Sequence, residues 1–238
     1  MRIPKITGVI DRRMLVNFTV EPDVLKTILP PPFRPKLFNG KGIAGICLIR
    51  LKEVRPAGLP AFFGIGSENG AHRIAVEWDE DGVLKEGVYI PRRDTSSIFN
   101  SLTGGRIFPG RHHKARFNVR EDGIKYHIAF RSSDGTTISV DAKLASHLND
   151  HSIFKDLSTA SEFFKAGSLG YSLNGKKYDG LLLNTYEWKV KPLDVENVKS
   201  SFFEDEAIFP KGSVQFDNAL LMTNIKHDWT SAPDKCIC

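Results

Sequence analysis

The residues best suited to chemistry are a cluster of cationic side chains near the middle of the chain. Four arginines, two histidines and one lysine fall within the 23 residues from Arg92 to Lys114, among several glycines. Guanidinium groups hold carboxylates or phosphates through paired hydrogen bonds, and glycines let backbone N–H groups approach a ligand closely. This composition predicts the wall of a pocket that receives a small anion.

Two of these arginines are adjacent, and only Pro91 separates them from the apolar segment Val88–Ile90. Neighbouring side chains of a strand point to opposite sides, so one of Arg92 and Arg93 can enter a pocket while the other meets Asp94 or solvent. Burying a guanidinium without a counter-charge costs free energy. For each of these two arginines, an ion pair at the rim and a contact with a ligand are both open alternatives. The candidate substrate-binding residues of this segment are Arg92, Arg93, Arg106, His112 and His113.

The histidines favour proton transfer over metal binding. His112 and His113 are adjacent, so at most one faces a pocket, where a neutral imidazole suits a proton carrier near pH 7. His147 and His151 are four apart, as zinc ligands on a helix would be, but no third or fourth ligand accompanies them. Gly104–Arg106 lacks the nucleotide-binding patterns. We therefore expect neither a metal nor another cofactor, and no motif indicates covalent catalysis.

The composition is that of an ordinary globular protein with a mild positive charge. The 238 residues are 41% hydrophobic and carry a net charge of +5. This charge is too scattered to predict nucleic-acid binding, and no apolar run is long enough to span a membrane. The start of the chain has no apolar region typical of a signal peptide. Three cysteines form a poor disulfide framework, which favours a cytoplasmic location.

Strand patterns dominate the chain. Met14–Val20 reads as a strand, and Asn39-Gly40 and Asp81-Gly82 are hairpin signals. Apolar residues alternate with polar ones in three segments separated by Glu121–Gly123 and Ser133–Gly135, which predicts a three-stranded meander with one buried face. Further strands are expected at Leu181–Val190 and Ser213–Met222.

Three short helices are expected between these strands. One spans Glu21–Leu29, and a second begins with Asp94 as its N-cap and ends at Gly104. A third begins at Ser158 or Thr159, where Thr159 and Glu162 fit a capping box, and ends at Gly167. Many antiparallel strands with few helices indicate a mainly β fold, a closed or nearly closed β-barrel. We expect one domain over residues 1–238, with residues 230–238 as a flexible tail.

Several segments resemble proteins of the acetoacetate decarboxylase-like superfamily. They include the opening Phe18–Phe33, the segment Leu37–Leu48 and the strand Gly87–Asp94. Ser161–Ser172 and the ending from Phe216 to Trp229 are most similar to a group of this superfamily known only as a domain of unknown function. The resemblance covers nearly the whole chain.

This resemblance implies a barrel with a central cavity and a changed active site. The superfamily's Schiff-base lysine and its neighbour should fall within Asp94–Arg106, which contains no lysine, and Lys114 lies outside that register. The superfamily's active-site glutamates have no clear counterpart, because the equivalent region, Ile46 to Phe63, offers only Glu53. An arginine of the first strand does recur, as Arg12 or Arg13. The carboxylate-holding arginine is thus kept without the lysine, and the resemblance adds Arg13 to the candidate substrate-binding residues. Homo-oligomers are expected only by analogy with related barrels.

Three functions remain open. The first is a barrel that binds a small anionic molecule, with any activity being lyase, hydrolase or isomerase chemistry that uses no Schiff base. The second is a non-catalytic metabolite-binding or interaction module. The third is a decarboxylase of the acetoacetate decarboxylase type that uses Lys114.

Overall fold

The computed structural model describes residues 5–97, 110, 112–175 and 177–236. These residues form thirteen strands, two α-helices and one 3₁₀ turn at Ala61–Phe63. The helices are α1 (Pro22–Ile28) and α2 (Leu157–Lys165). The strands are β1 (Ile6–Val20), β2 (Arg34–Pro35), β3 (Leu37–Phe38), β4 (Lys41–Pro56), β5 (Ile65–Glu80), β6 (Val83–Thr95), β7 (His112–Glu121), β8 (Lys125–Ser132), β9 (Thr137–Leu144), β10 (Leu169–Asn174), β11 (Lys177–Thr185), β12 (Lys191–Ser200) and β13 (Val214–Cys236).

The local signals of the sequence produce the expected hairpins. Asn39 and Gly40 have φ angles of 47° and 78°, and Asp81 and Gly82 have 52° and 74°. Asparagine, aspartate and glycine tolerate this left-handed region, which two-residue hairpin turns require. The predicted meander is confirmed as β7, β8 and β9, which pair antiparallel in chain order.

Two of the three predicted helices are confirmed. The first is confirmed as α1 and the third as α2, although the N-cap of α2 is Asp156, whose carboxylate accepts a hydrogen bond from the Thr159 N–H at 2.8 Å. The helix expected from Asp94 is wrong at its start, because Asp94 and Thr95 belong to β6 and pair there with β5 and β7. Long-range pairing overrides the local cap signal.

The strands pair into two closed circuits that share five strands. The shared path is β13–β1–β4–β5–β6. One circuit returns from β6 to β13 through β10 and β11, and the other through β7, β8, β9 and β12. This ring-like, mainly β architecture confirms the predicted fold class.

The two faces of the shared strands bury two separate hydrophobic clusters. In β1, Met14 and Val16 belong to one cluster and Leu15 to the other. In β4 the same alternation separates Ile46 and Leu48 from Cys47 and Ile49. Because side chains of a strand alternate between faces, these shared strands are buried on both sides, and they read as nearly continuous apolar runs.

The end of the chain differs from the expected flexible tail. Residues 230–236 continue β13 and pair with β11, for example Thr230 with Leu182. The stretch 186–190, which the sequence assigned to a strand, lies between β11 and β12. Among the described residues, no helix is both long enough and apolar enough to cross a bilayer.

Candidate functional site

The main candidate site is a cavity inside the smaller circuit of strands. All seven strands of this circuit contribute to its lining, and α2 with the residues just after it covers one side. Its volume is about 120 Å³. A dry cavity of about 150 Å³ in another protein holds benzene, so a ligand of a few non-hydrogen atoms suits this one.

One row of paired residues crosses the floor of the cavity. Leu15 of β1 pairs with Cys47 of β4, Cys47 pairs with Ala71 of β5, and Ala71 pairs with Arg93 of β6. Arg13 and Arg73 lie two positions along their strands from this row and therefore face the same side. Strand pairing thus brings three arginines around one cysteine, and all of these residues line the cavity.

Arg13 contacts the cysteine directly. Its Nε donates to Cys47 Sγ at 3.3 Å, and its guanidinium lies 5.9 Å from the centroid of the Trp188 ring. Cys47 is a free thiol and is buried. The predicted candidate Arg13 therefore lies in the cavity, whereas its neighbour Arg12 points to the other side and pairs with Glu68 and Glu121.

Arg73 is the most deeply buried charge of the cavity. It is 6% exposed, one of its Nη atoms donates to the Asn17 side chain, and its guanidinium lies 5.1 Å from the centroid of the Phe164 ring. Its Nε is buried and has no hydrogen-bond partner among the described residues. Burial lowers the pKa of Arg73 to about 10, opposed by Cys47 and reinforced by Arg13, so this guanidinium stays charged at neutral pH.

Arg93 supplies the third guanidinium. Its Nε donates to Ser172 Oγ at 3.2 Å, and its buried Nη2 has no hydrogen-bond partner within the described part of the chain. Burial lowers the pKa of Arg93 to about 10, while Cys47 and Asp179 act in the opposite direction. This group also remains charged at neutral pH, and it leaves a donor available to a ligand.

The cavity offers these cations almost no negative charge. Among the described residues that line it, none is aspartate, glutamate or histidine. Its fourth cation, Lys36, forms an ion pair with Glu86 and lies 4.5 Å from the centroid of the Phe163 ring. Buried charges normally meet counter-charges, so three guanidinium groups without a carboxylate make this cavity chemically suited to an anion.

Most of the rest of the lining is apolar. Aliphatic and aromatic side chains from three strands and α2 contribute to the wall: Ile49, Val88, Ile90, Leu181, Leu183 and Phe163. A ligand that fits this surface carries its charge at one end and a short apolar group at the other.

Arg92 lies outside the cavity. Its guanidinium donates to both carboxylate oxygens of Asp94, at 2.9 and 2.7 Å, and to both of Asp134, at 2.7 and 2.9 Å. Burial alone would lower the pKa of Arg92, but these hydrogen bonds outweigh it and the pKa is raised. The predicted split between the two adjacent arginines is thus observed, and Arg92 takes the ion-pair role.

The histidines and Lys114 are not part of the described lining. His113 Nδ1 lies 3.3 Å from Asp134, on the side of Arg92. His112 pairs in register with Arg93, and burial together with the charge of Arg93 lowers its pKa to about 3. Lys114 Nζ donates to the backbone carbonyl of Ser96. None of these three residues is among the described residues that line the cavity.

Two further predictions concern other parts of the chain. Arg106 lies outside the described residues. His147 and His151 lie in a segment of turns and bends, so the helical zinc arrangement is wrong. No cluster of three or more potential metal ligands occurs in the described ranges.

Sequence reasoning missed Arg73 and Cys47, although a signal existed for both. Arg73 precedes the apolar run Ile74–Val76, and Cys47 lies inside Ile43–Leu51. A charged or nucleophilic side chain within a run that predicts a buried strand is a candidate for a site.

Comparisons with known proteins give one family match and several solved structures of similar fold. A family model described as an uncharacterized conserved protein, DUF2071, matches residues 10–220. No functionally curated protein matches the sequence significantly.

Solved structures of similar fold cover almost the whole chain. An acetoacetate decarboxylase from Legionella pneumophila superposes with a TM-score of 0.62 at 11% identity, covering 99% of this chain and 88% of its own. An acetoacetate decarboxylase-like enzyme from Sphingomonas wittichii gives 0.60 at 11% identity, covering 98% and 92%. The enduracididine biosynthesis enzyme MppR in complex with pyruvate gives 0.56 at 9% identity, covering 98% and 90%. At these identities the likeness shows the fold alone.

Proposed function

The chain belongs to the DUF2071 family of uncharacterized conserved proteins, and we propose that it binds a small organic acid in its guanidinium-lined cavity. The observation that carries this proposal is the set of Arg13, Arg73 and Arg93, which share the cavity with no carboxylate from the described residues. Two of these groups keep a buried donor atom without a partner among those residues. An anion would satisfy both the charge and the donors.

A short carboxylate fits the cavity better than a larger anion. The volume of about 120 Å³ accommodates few atoms beyond the charged group, and the aliphatic wall suits a short apolar chain. Support also comes from the similar fold of MppR, which was solved in complex with pyruvate. This support concerns the size and charge of the ligand, not the reaction.

We propose that any reaction in this cavity proceeds without a Schiff-base lysine. Lys36 is the one lysine in the described lining, and its Nζ is engaged in an ion pair with Glu86. Lys114 is held by the Ser96 carbonyl. The candidate activities are therefore lyase, hydrolase or isomerase chemistry on a small organic acid. Borohydride with acetoacetate tests the decarboxylase alternative, which requires a covalent adduct on Lys36 or Lys114.

A non-catalytic metabolite-binding module is the second candidate. The observation that favours it is the lack of histidine, aspartate and glutamate in the described lining, since these residues most often transfer protons. NMR of a mixture of short 2-oxo and 3-oxo acids incubated with the protein distinguishes the two candidates. Time-dependent product formation that is lost in Arg93→Met supports an enzyme, and stable ligands that still bind support the module.

Thermal unfolding of the wild-type protein tests the binding proposal itself. Propionate should raise the melting temperature in a concentration-dependent manner, because a ligand that binds only the folded state stabilises it. Propionamide has the same shape without the charge and should have no effect, and sodium chloride of equal ionic strength is the second control. Equal effects of propionate and chloride would contradict a carboxylate site.

Location and assembly remain proposals as well. We propose a cytoplasmic protein, since a reducing compartment keeps the Cys47 thiol free, and a homo-oligomer by analogy with related folds. Light scattering on the purified protein measures the assembly. We propose neither a nucleic acid nor a membrane as its partner.

A further inference from the structure

We propose that Cys47 is the nucleophile of this cavity and adds reversibly to the carbonyl carbon of a small 2-oxo acid. This inference rests on the proposed function, because the acid must first bind to the guanidinium groups. It goes beyond binding by assigning a covalent step to one atom, the Cys47 sulfur.

The position of the sulfur is the first argument. Cys47 is 7% exposed, lines the cavity and lies in the cross-strand row between Leu15 and Ala71. Ala71 is small, so the space beside the sulfur on that strand is left to the cavity. Of the three cysteines in the sequence, Cys236 ends β13 and Cys238 lies outside the described residues.

The second, independent argument is the presence of buried donors without partners. Arg73 is more than nine-tenths buried and lines the cavity, and its Nε has no hydrogen-bond partner among the described residues. Arg93 as a whole is only partly buried, but its Nη2 atom is buried and also has no hydrogen-bond partner among those residues. Such donors point to a bound oxygen anion, because an unsatisfied buried donor is costly. If the cavity bound no anion, these two donor atoms without partners would have no explanation.

The distance between Arg13 and Cys47 indicates which carbon is attacked. Arg13 Nε lies 3.3 Å from the sulfur. A carboxylate held by Arg13 therefore places its neighbouring carbon, carbon 2 of the acid, beside Cys47. In a 2-oxo acid this carbon is a carbonyl carbon and hence an electrophile. In a 3-oxo acid the electrophilic carbon lies one bond farther away.

The step is a simple addition that needs no oxidant or reductant. A bond forms between the sulfur and carbon 2, and the π electrons of the carbonyl move to its oxygen. The proton lost by the thiol ends on this oxygen, which gives a thiohemiketal. Negative charge develops on the oxygen during the addition, and the free donors of Arg73 and Arg93 can stabilise it.

Alkylation of Cys47 tests its placement among the cations. In the Cys236→Ser/Cys238→Ser double variant, only Cys47 can react. Iodoacetate carries a carboxylate and iodoacetamide does not, so we expect iodoacetate to react at least about tenfold faster with Cys47 than iodoacetamide does, a difference of about 1.4 kcal/mol. Urea-unfolded protein is the control and should lose this preference. Faster reaction with iodoacetamide in the folded protein would overturn the proposal.

Carbon NMR with pyruvate labelled at carbon 2 tests the covalent step. We expect a protein-dependent resonance of a tetrahedral carbon that is absent in folded Cys47→Ala and Cys47→Ser. If pyruvate binds and Cys47→Ala binds it equally well without this resonance appearing in either protein, the nucleophile is wrong while the anion site stands. If pyruvate fails to bind the wild-type protein, both proposals fail for this ligand class. The wild-type spectrum decides the question even where a variant does not fold.

Discussion

Arg92 and Arg93 are adjacent in β6, yet two carboxylates neutralise the first, whereas the second enters a cavity whose described lining includes no carboxylate. The alternation of side chains along the strand creates this difference. Arg92 has a structural role, and we propose a ligand-binding role for Arg93. Stability and binding should therefore respond in opposite ways to the same substitution at the two sites.

We predict that Arg92→Met lowers the free energy of unfolding by about 3 kcal/mol, because it leaves the fully buried Asp94 without its cation. Arg93→Met should instead raise this free energy in the ligand-free protein by about 1 kcal/mol, because it removes a buried charge that lacks a counter-charge. Urea unfolding of both variants measures the two effects. Equal destabilisation by both substitutions would contradict the proposed division of roles.

His72 makes the stability of the fold depend on pH. It is fully buried, both ring nitrogens lack hydrogen-bond partners among the described residues, and its ring lies 4.4 Å from that of Phe202. Burial, aided by the charge of Arg92, lowers its pKa to about 3. The neutral ring is thus favoured in the folded state. The contribution of His72 to the free energy of unfolding is complete above the ordinary histidine pKa of 6.5. It is lost as the pH falls from 6.5 towards 3.

We predict that His72→Phe removes this dependence while keeping the aromatic packing. As the pH falls from 6.5 to 4.5, the wild type should lose stability that the variant keeps. The unfolding free energy of the variant minus that of the wild type should therefore increase by about 1.4 kcal/mol for each unit of decrease in pH. The comparison cancels the titration of carboxylates that both proteins share. A difference that stays constant with pH would show that His72 is not buried as a neutral ring.

At the scale of elements, helix α2 is the part of the cavity wall that most depends on local sequence. It carries Phe163 and Phe164 over the strands, and it has only nine residues. Short helices gain little from backbone propensity, so the cap and the buried face hold it in place. The sequence predicted the helix but assigned its cap to Ser158 or Thr159 with Glu162 as partner, whereas Asp156 is the cap.

We predict that Asp156→Ala lowers the melting temperature by about 2–4 °C, because it removes the acceptor of the Thr159 N–H. Glu162→Ala alters the residue that the sequence pattern suggested, which is exposed, and should leave the melting temperature within about 1 °C. Calorimetry of the two variants compares them. A larger effect of Glu162→Ala would show that the capping box of Thr159 and Glu162, and not Asp156, stabilises the start of α2.

The elements that local patterns could predict are those closed by short turns. The two-residue hairpins and the meander β7–β9 depend on turn residues and alternation within a few tens of residues. The extension of β6 through Asp94 is held by antiparallel pairing with β5 and by parallel pairing with β7, and no local pattern encodes the contact with β7. For this reason a cap-like aspartate was assigned to a helix.

At the scale of the whole molecule, the cavity exists because the strands close a circuit. Arg13, Cys47, Arg73 and Arg93 come from four strands spread over 81 positions of the sequence, from 13 to 93, and only their pairing brings them together. The sequence predicted Arg93 from its residue type and setting, and Arg13 from the family resemblance. It could not show that Arg73 and Cys47 join them, since register between distant strands is set by the complete fold.

The central claim is that the guanidinium groups inside this circuit hold a carboxylate, and calorimetric titration of propionate into Arg92→Met and Arg93→Met tests it most directly. We predict that Arg92→Met, where it remains folded, binds within about twofold of the wild type, whereas Arg93→Met loses at least about tenfold in affinity. Unchanged affinity in Arg93→Met, or an equal loss in the two variants, would contradict the claim.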